Sequence, residues 1–233
     1  MAYPTVNAPY GLKPINLIGG QVFAGQTREL PIASGYSTAI YNGDVVKFNT
    51  TDGTIVKETG TATISANGIV GVFLGCSYTN PSTGQKLFAN SYPTGGVVAS
   101  DILAYVADDP DQLFKVAVTG GSTSSTITPI AGTILGSNMG ISQPASNTTI
   151  SGNSNIGAYN AADSTVATLP LRVVGLVPET TDSNGDYSEV IVKWNAAHIV
   201  SATTASGSPL VYVTTSTVTG GHCYLNPNGQ FNA

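Results

Sequence analysis

The residues able to do chemistry in this chain are few and scattered. His198 and His222 are its two histidines, and no nucleophile-elbow, zinc-binding, phosphate-loop or dinucleotide-binding pattern accompanies them. A general base that activates a nucleophile needs a specific setting. Nothing in the sequence marks one, so the chain is expected not to be an enzyme and to use no cofactor. Both histidines read as surface or interface residues. Asp108, Asp109 and Asp111 form one acidic cluster, and Asp182, Asn184, Asp186 and Glu189 another. Their oxygens suit calcium, but neither has the calcium-loop spacing. Both fall where turns are expected, and Asp and Asn are ordinary turn residues. No metal is expected. Cys76 and Cys223 are the two cysteines, almost 150 residues apart. They read as free thiols, with Cys76 buried in GIVGVFLGC, although the spacing also permits a bridge.

The elements that must position such groups are strands. Segments rich in Val, Ile, Thr, Tyr and Phe, punctuated by Gly, Asn, Asp and Pro, predict strands at Glu29–Ile32, Tyr36–Tyr41, Asp44–Asn49, Thr54–Glu58, Gly68–Tyr78, Lys86–Ser91, Asp101–Val106, Leu113–Val118, Leu171–Val177 and Ser188–Trp194. Asn42-Gly43 predicts a tight hairpin, and so do Asp108–Asp111 and Ser183–Gly185. The single helix candidate is Gly132–Met139. The fold class is therefore all-β: a β-barrel or β-sandwich body, jelly-roll or β-tulip-like, over about residues 31–199. Between about 120 and 168 the chain turns Ser/Thr/Asn/Gly-rich. Ile127, Ile130, Ile134, Leu135, Ile141, Ile150 and Ile156 recur through it, which predicts an ordered insertion pinned at intervals. Residues 200–233 read as a C-terminal extension.

Charge narrows the partners. Of 233 residues only 9% are charged, and the net charge is -5. An ordinary soluble domain carries roughly 25%, so this surface is largely hydroxyl and amide. The eight basic residues stand singly, which argues against nucleic-acid binding. No apolar run of membrane-spanning length and no lipid anchor signal occurs, so no membrane association is expected. The start lacks the charged and apolar regions of a secretory signal, so folding in a cytoplasm is expected. On that ground the sequons at Asn49 and Asn147 are expected to stay unmodified.

Residues 1–30 are expected to form an extended arm. The stretch YGLKPINLIGGQVFAG holds Tyr10, Leu12, Pro14, Ile15, Leu17, Ile18, Val22 and Phe23. Its Pro and Gly residues disfavour a helix and its lack of alternation disfavours an ordinary strand. Laid on a neighbouring chain, it buries these eight side chains there. The competing reading packs it across the chain's own body. If it is an arm, deleting residues 2–30 leaves the body folded.

Several short signatures in a fixed order carry a resemblance. YGLKPINLIGG is followed by YNGDVVKF, by GIVGVFLGCSYTNPSTGQKLFANSYP (Gly68 to Pro93), by ILAYVADDPDQLFKVAV (Ile102 to Val118), and by LPLRVVGLVPE with YSEVIVKWNAAH, ending at His198. In this the chain resembles the head decoration, or cement, proteins encoded beside the major capsid protein of tailed bacteriophages. The resemblance implies a virion structural protein on the outer capsid surface. It implies a homotrimer that bridges neighbouring major capsid protein subunits and stabilises the mature head after assembly in the host cytoplasm. It supplies no catalytic residues. A tail or fibre subunit and a carbohydrate-binding adhesive module are the competing readings.

Overall fold

The computed structural model describes residues 6–62, 69–144, 152–160 and 169–195. His198, His222, Cys223, the Asn147 sequon, Ile150 and the extension at 200–233 lie outside the described residues.

The described chain is nearly all β, with a closed five-stranded barrel and additional sheets. The strands run β1 (Lys13–Leu17), β2 (Arg28–Pro31), β3 (Ile40–Tyr41), β4 (Val45–Phe48), β5 (Ile55–Lys57), β6 (Gly71–Thr79), β7 (Lys86–Ala89), β8 (Ser91–Tyr92), β9 (Leu103–Ala107), β10 (Gln112–Thr119), β11 (Asn138–Ser142), β12 (Gly157–Tyr159), β13 (Leu171–Leu176) and β14 (Glu189–Trp194). The barrel order is β10-β12-β11-β13-β14, and β14 returns to β10 to close it. Its pairs are antiparallel except β10–β12, which is parallel. β1 lies on the same edge of β10 as β12, pairing earlier along that strand. A second sheet has the order β2-β9-β6-β4-β5, with β7 also on β6, and β3 pairs with β8.

Alternation assigns the side chains. Phe114, Val116 and Val118 of β10 and Val190, Val192 and Trp194 of β14 fall every second residue and join one core. Phe114 and Trp194 meet there with ring centroids 5.2 Å apart. A second core holds Phe73, Cys76, Ala104 and Val106 with Ile40 and Tyr92. β4 and β6 serve both, because Val45 and Val72 belong to the first core and Val46 and Phe73 to the second. Each large apolar side chain so buried contributes about 1.5–3 kcal/mol. Cys76 is fully buried, and its thiol donates to the Ser91 carbonyl at 3.5 Å. Burial pushes the thiol up to about 11. In native protein at mildly alkaline pH, Cys76 should therefore resist iodoacetamide and react only once the chain unfolds, as peptide mass spectrometry would show.

Several sequence expectations need correction. The described parts of the stretch 120–168 belong to the barrel itself, where they supply β11 and β12, two of its five strands. Ile134, Ile141 and Ile156 are core residues of that barrel, whereas Leu135 is exposed. The helix expected at Gly132–Met139 is one 3-10 turn, Gly132–Ile134, and Asn138 and Met139 already belong to β11. Asn42-Gly43 makes a tight turn, with Asp44 N donating to Tyr41 O at 2.9 Å. The strands on either side of it diverge: β3 goes to β8, and β4 to β5 and β6. Asp108–Asp111 likewise passes the chain from β9 in one sheet to β10 in the other. Only the Ser183–Gly185 turn lies between strands that pair with each other, β13 and β14.

Gly11 and Leu12 are fixed at a three-way crossing. Gly11 N donates to Ile156 O, Leu12 N to Gly43 O and Ser154 N to Asn42 O, at 3.0, 3.0 and 2.8 Å. Gly11 sits at φ +84°, and a Cβ there would lie 2.8 Å from Gly43 Cα and from Ser154 Cβ. The two glycines let the two backbones touch. Gly11→Ala adds a strained φ to a steric overlap and should cost about 2–4 kcal/mol, read as a lowered urea midpoint with an unchanged m-value.

Candidate interaction surface

The described part of the expected arm, residues 6–30, runs along the body. β1 pairs with β10 in antiparallel register, Lys13 opposite Lys115 and Leu17 opposite Gln112. β2 pairs with β9 through Arg28–Val106 to Pro31–Leu103. Residues 10–30 thus follow the competing reading and pack across the chain's own body, joining its two main sheets. The physical reason is that Leu12 fills the barrel core, and the β1 backbone gains a partner strand only on β10. Deleting residues 2–30 would remove both strands and a core side chain.

The segment before β1 is held electrostatically as well. The Tyr10 hydroxyl donates to Glu189 Oε1. Lys115 Nζ lies 3.4 Å from the same carboxylate. Lys13 Nζ stands 4.9 Å from the Tyr10 ring centroid, a cation–π contact. Burial, and then the Glu189 carboxylate, raise the Tyr10 hydroxyl far above its ordinary pKa.

Beyond β1 the chain doubles back. Asn16 bridges Val22, Leu17 N donates to Gln21 O at 2.8 Å, and Phe23 N donates to Ile15 O at 3.3 Å. Gly20, at φ +82°, takes the left-handed conformation that this reversal uses and that glycine adopts without strain. Ile18 N donates to Asp111 O at 2.9 Å, which fastens the tip to the turn between β9 and β10. That turn is braced in turn: Arg28 Nε contacts Asp108 Oδ2 at 2.8 Å, and Asp111 N donates to Asp109 Oδ1 at 2.8 Å. The buried Gln112 side chain donates to Asn16 O at 3.0 Å.

The eight apolar residues therefore separate into three groups. Leu12 is core. Tyr10, Pro14, Ile15, Leu17 and Phe23 are partly covered by the chain's own body. Ile18 and Val22 are 51% and 77% exposed. Beside them runs a groove of about 660 Å³ lined by Leu17, Val22, Phe23, Arg28, Asp109 and Pro110, among others. The hairpin is a braced apolar knob next to an open hollow. Sequence reasoning missed Phe88, Val98 and Leu135, which are also exposed. Phe88 stands on β7 at the sheet margin, where K-L-F-A places it on the outward face with Lys86.

The acidic clusters are turns. Asp182 Oδ1 accepts from Asn184 N at 2.8 Å and from Asp186 N at 2.9 Å, while Glu189 points to Tyr10 and Lys115. Among the described residues, no three His, Cys, Asp or Glu side chains converge as metal ligands would. No described helix is long and apolar enough to cross a membrane. Asn49 of the first sequon accepts from Thr51 N at 3.2 Å and braces its own turn.

Compared with known proteins, the chain matches no family model, no curated protein and no solved structure.

Proposed function

We propose that this protein is a non-enzymatic virion subunit of the decoration type. It binds the outer surface of a tailed-phage head and bridges neighbouring major capsid protein subunits, and it associates with itself as a homotrimer. The observation that carries the reading is the braced hairpin, which holds Ile18 and Val22 in solvent beside a groove. Exposed apolar side chains on a fixed support are what a docking surface needs, since little ordering entropy is lost on binding. The low charge supports the same reading, because interface cores are depleted in charged residues. Repetition over many symmetry-related copies makes a modest contact collectively strong. A subunit that binds the expanded shell better than the unexpanded one would attach after maturation.

The test is co-sedimentation of the purified protein with expanded heads that lack it, beside unexpanded shells. The reading expects saturable binding to the expanded heads and weaker binding to the unexpanded shells. No binding to expanded heads would contradict it, and equal binding to both would remove the maturation step alone.

A further inference from the structure

Two Asn-Gly pairs lie among the described residues, and the fold treats them oppositely. At Asn42-Gly43 the side-chain amide and the glycine nitrogen that would react are both held inside the fold. Asn42 Nδ2 donates to Leu74 O at 2.6 Å. Asn42 N donates to Gly152 O at 3.0 Å, and Gly43 N donates to Phe73 O at 2.8 Å. Gly43 is buried, pressed against Gly11. At Asn184-Gly185 both residues are exposed. Gly185 N donates to Asp182 O across a longer 3.2 Å. The space around Gly185 is open and its φ is +85°.

We propose that Asn184 is a site of spontaneous backbone modification, converting to isoaspartate and aspartate, while Asn42 is protected. The Gly185 amide, losing its proton to solvent base, attacks Asn184 Cγ. The N–Cγ bond forms, the Cγ–Nδ2 bond breaks, and the amide nitrogen leaves as ammonia with a proton from water. Water then opens the five-membered imide at one carbonyl or the other. The net change is one water taken up and one ammonia released, with no oxidant or cofactor. Glycine lacks the side chain that would hinder the approach of its nitrogen. The product adds a carboxylate beside Asp182 and Asp186. Where the ring opens to isoaspartate, the main chain also runs through Cγ and gains one carbon. That lengthens a turn whose following residue, Tyr187, is bridged to Ile130 and to Thr181.

The contrast follows from local opening. Asn42 reacts only when core hydrogen bonds break, whereas exposed turns open at almost no cost. Full-length protein would be aged in mildly alkaline buffer, folded and in urea, and mapped by peptide mass spectrometry with isoaspartate O-methyltransferase labelling. Asn67-Gly68 and Asn228-Gly229 fall outside the described residues and are read as separate peptides. In folded protein, the Asn184 peptide should exchange NH for O and take up label at least about tenfold faster than the Asn42 peptide. In urea the two should converge. Asn184→Gln, whose ring closure would be six-membered, should keep the fold and lose the modification at that peptide. Retention of the Asn184 amide for as long as Asn42 keeps its own in folded protein would overturn the proposal.

Discussion

Asp44→Ala is expected to destabilise the protein by about 3–5 kcal/mol, as the loss of one partner of a buried ion pair does. For a chain of this size that lowers Tm by about 10 °C. Asp44 is fully buried. Its Oδ2 lies 2.9 Å from Lys57 Nζ and accepts from Tyr41 N at 2.9 Å. Its Oδ1 accepts from Ser154 Oγ at 2.5 Å. One carboxylate thus ties the turn before β4, strand β5 and the segment leading into β12. Truncation leaves the Lys57 ammonium, itself little exposed, without its counter-charge, and it removes the acceptor for two further donors. Asp44→Asn keeps an acceptor and should cost less. Arg28→Ala breaks the exposed Arg28–Asp108 pair and should cost no more than about 1 kcal/mol. Calorimetry on the three variants checks the order, and an Asp44→Ala protein as stable as Arg28→Ala would contradict it.

Leu12→Ala should lose about 2–5 kcal/mol, whereas Val22→Ala should stay within about 0.5 kcal/mol of the parent. The two residues stand ten positions apart in one apolar stretch, and only their place in the fold separates them. Leu12 has no exposed surface and packs among barrel residues, so truncation leaves a cavity there. Val22 is exposed on the returning side of the hairpin. A free arm would give both changes the same small effect on stability. Urea unfolding of the two variants distinguishes these outcomes directly.

The sequence made the strongly patterned strands legible and the weakly patterned ones opaque. β6, β9, β10, β13 and β14 fall within a few residues of their expected places, because each carries a run of β-branched or alternating apolar residues. β1 escaped because Pro14 and the following glycines mask a strand of five residues. β11 and β12 escaped because NMGIS and GAY have little β-propensity. Their burial comes from ring closure with β10 and β13, a tertiary effect that local composition does not encode. Turn chemistry was legible but partner choice was not: Asn42-Gly43 does reverse the chain, yet β3 and β4 join different sheets. The apolar character of residues 10–23 was plain in the sequence. Which of these side chains face the core and which face solvent depends on the pairing of β1 with β10.

The most direct test of the central claim replaces exposed hairpin side chains without disturbing the body. Ile18→Asp with Val22→Asp places two charges on side chains that are half or more exposed, so the Tm should stay close to that of the parent protein. In a capsid contact, those charges would have to be desolvated. Co-sedimentation of this variant and the parent with expanded heads should show the parent bound and the variant reduced by at least about tenfold, the equivalent of about 1.4 kcal/mol. Full binding by a stably folded variant would contradict the claim that this hairpin is the docking element.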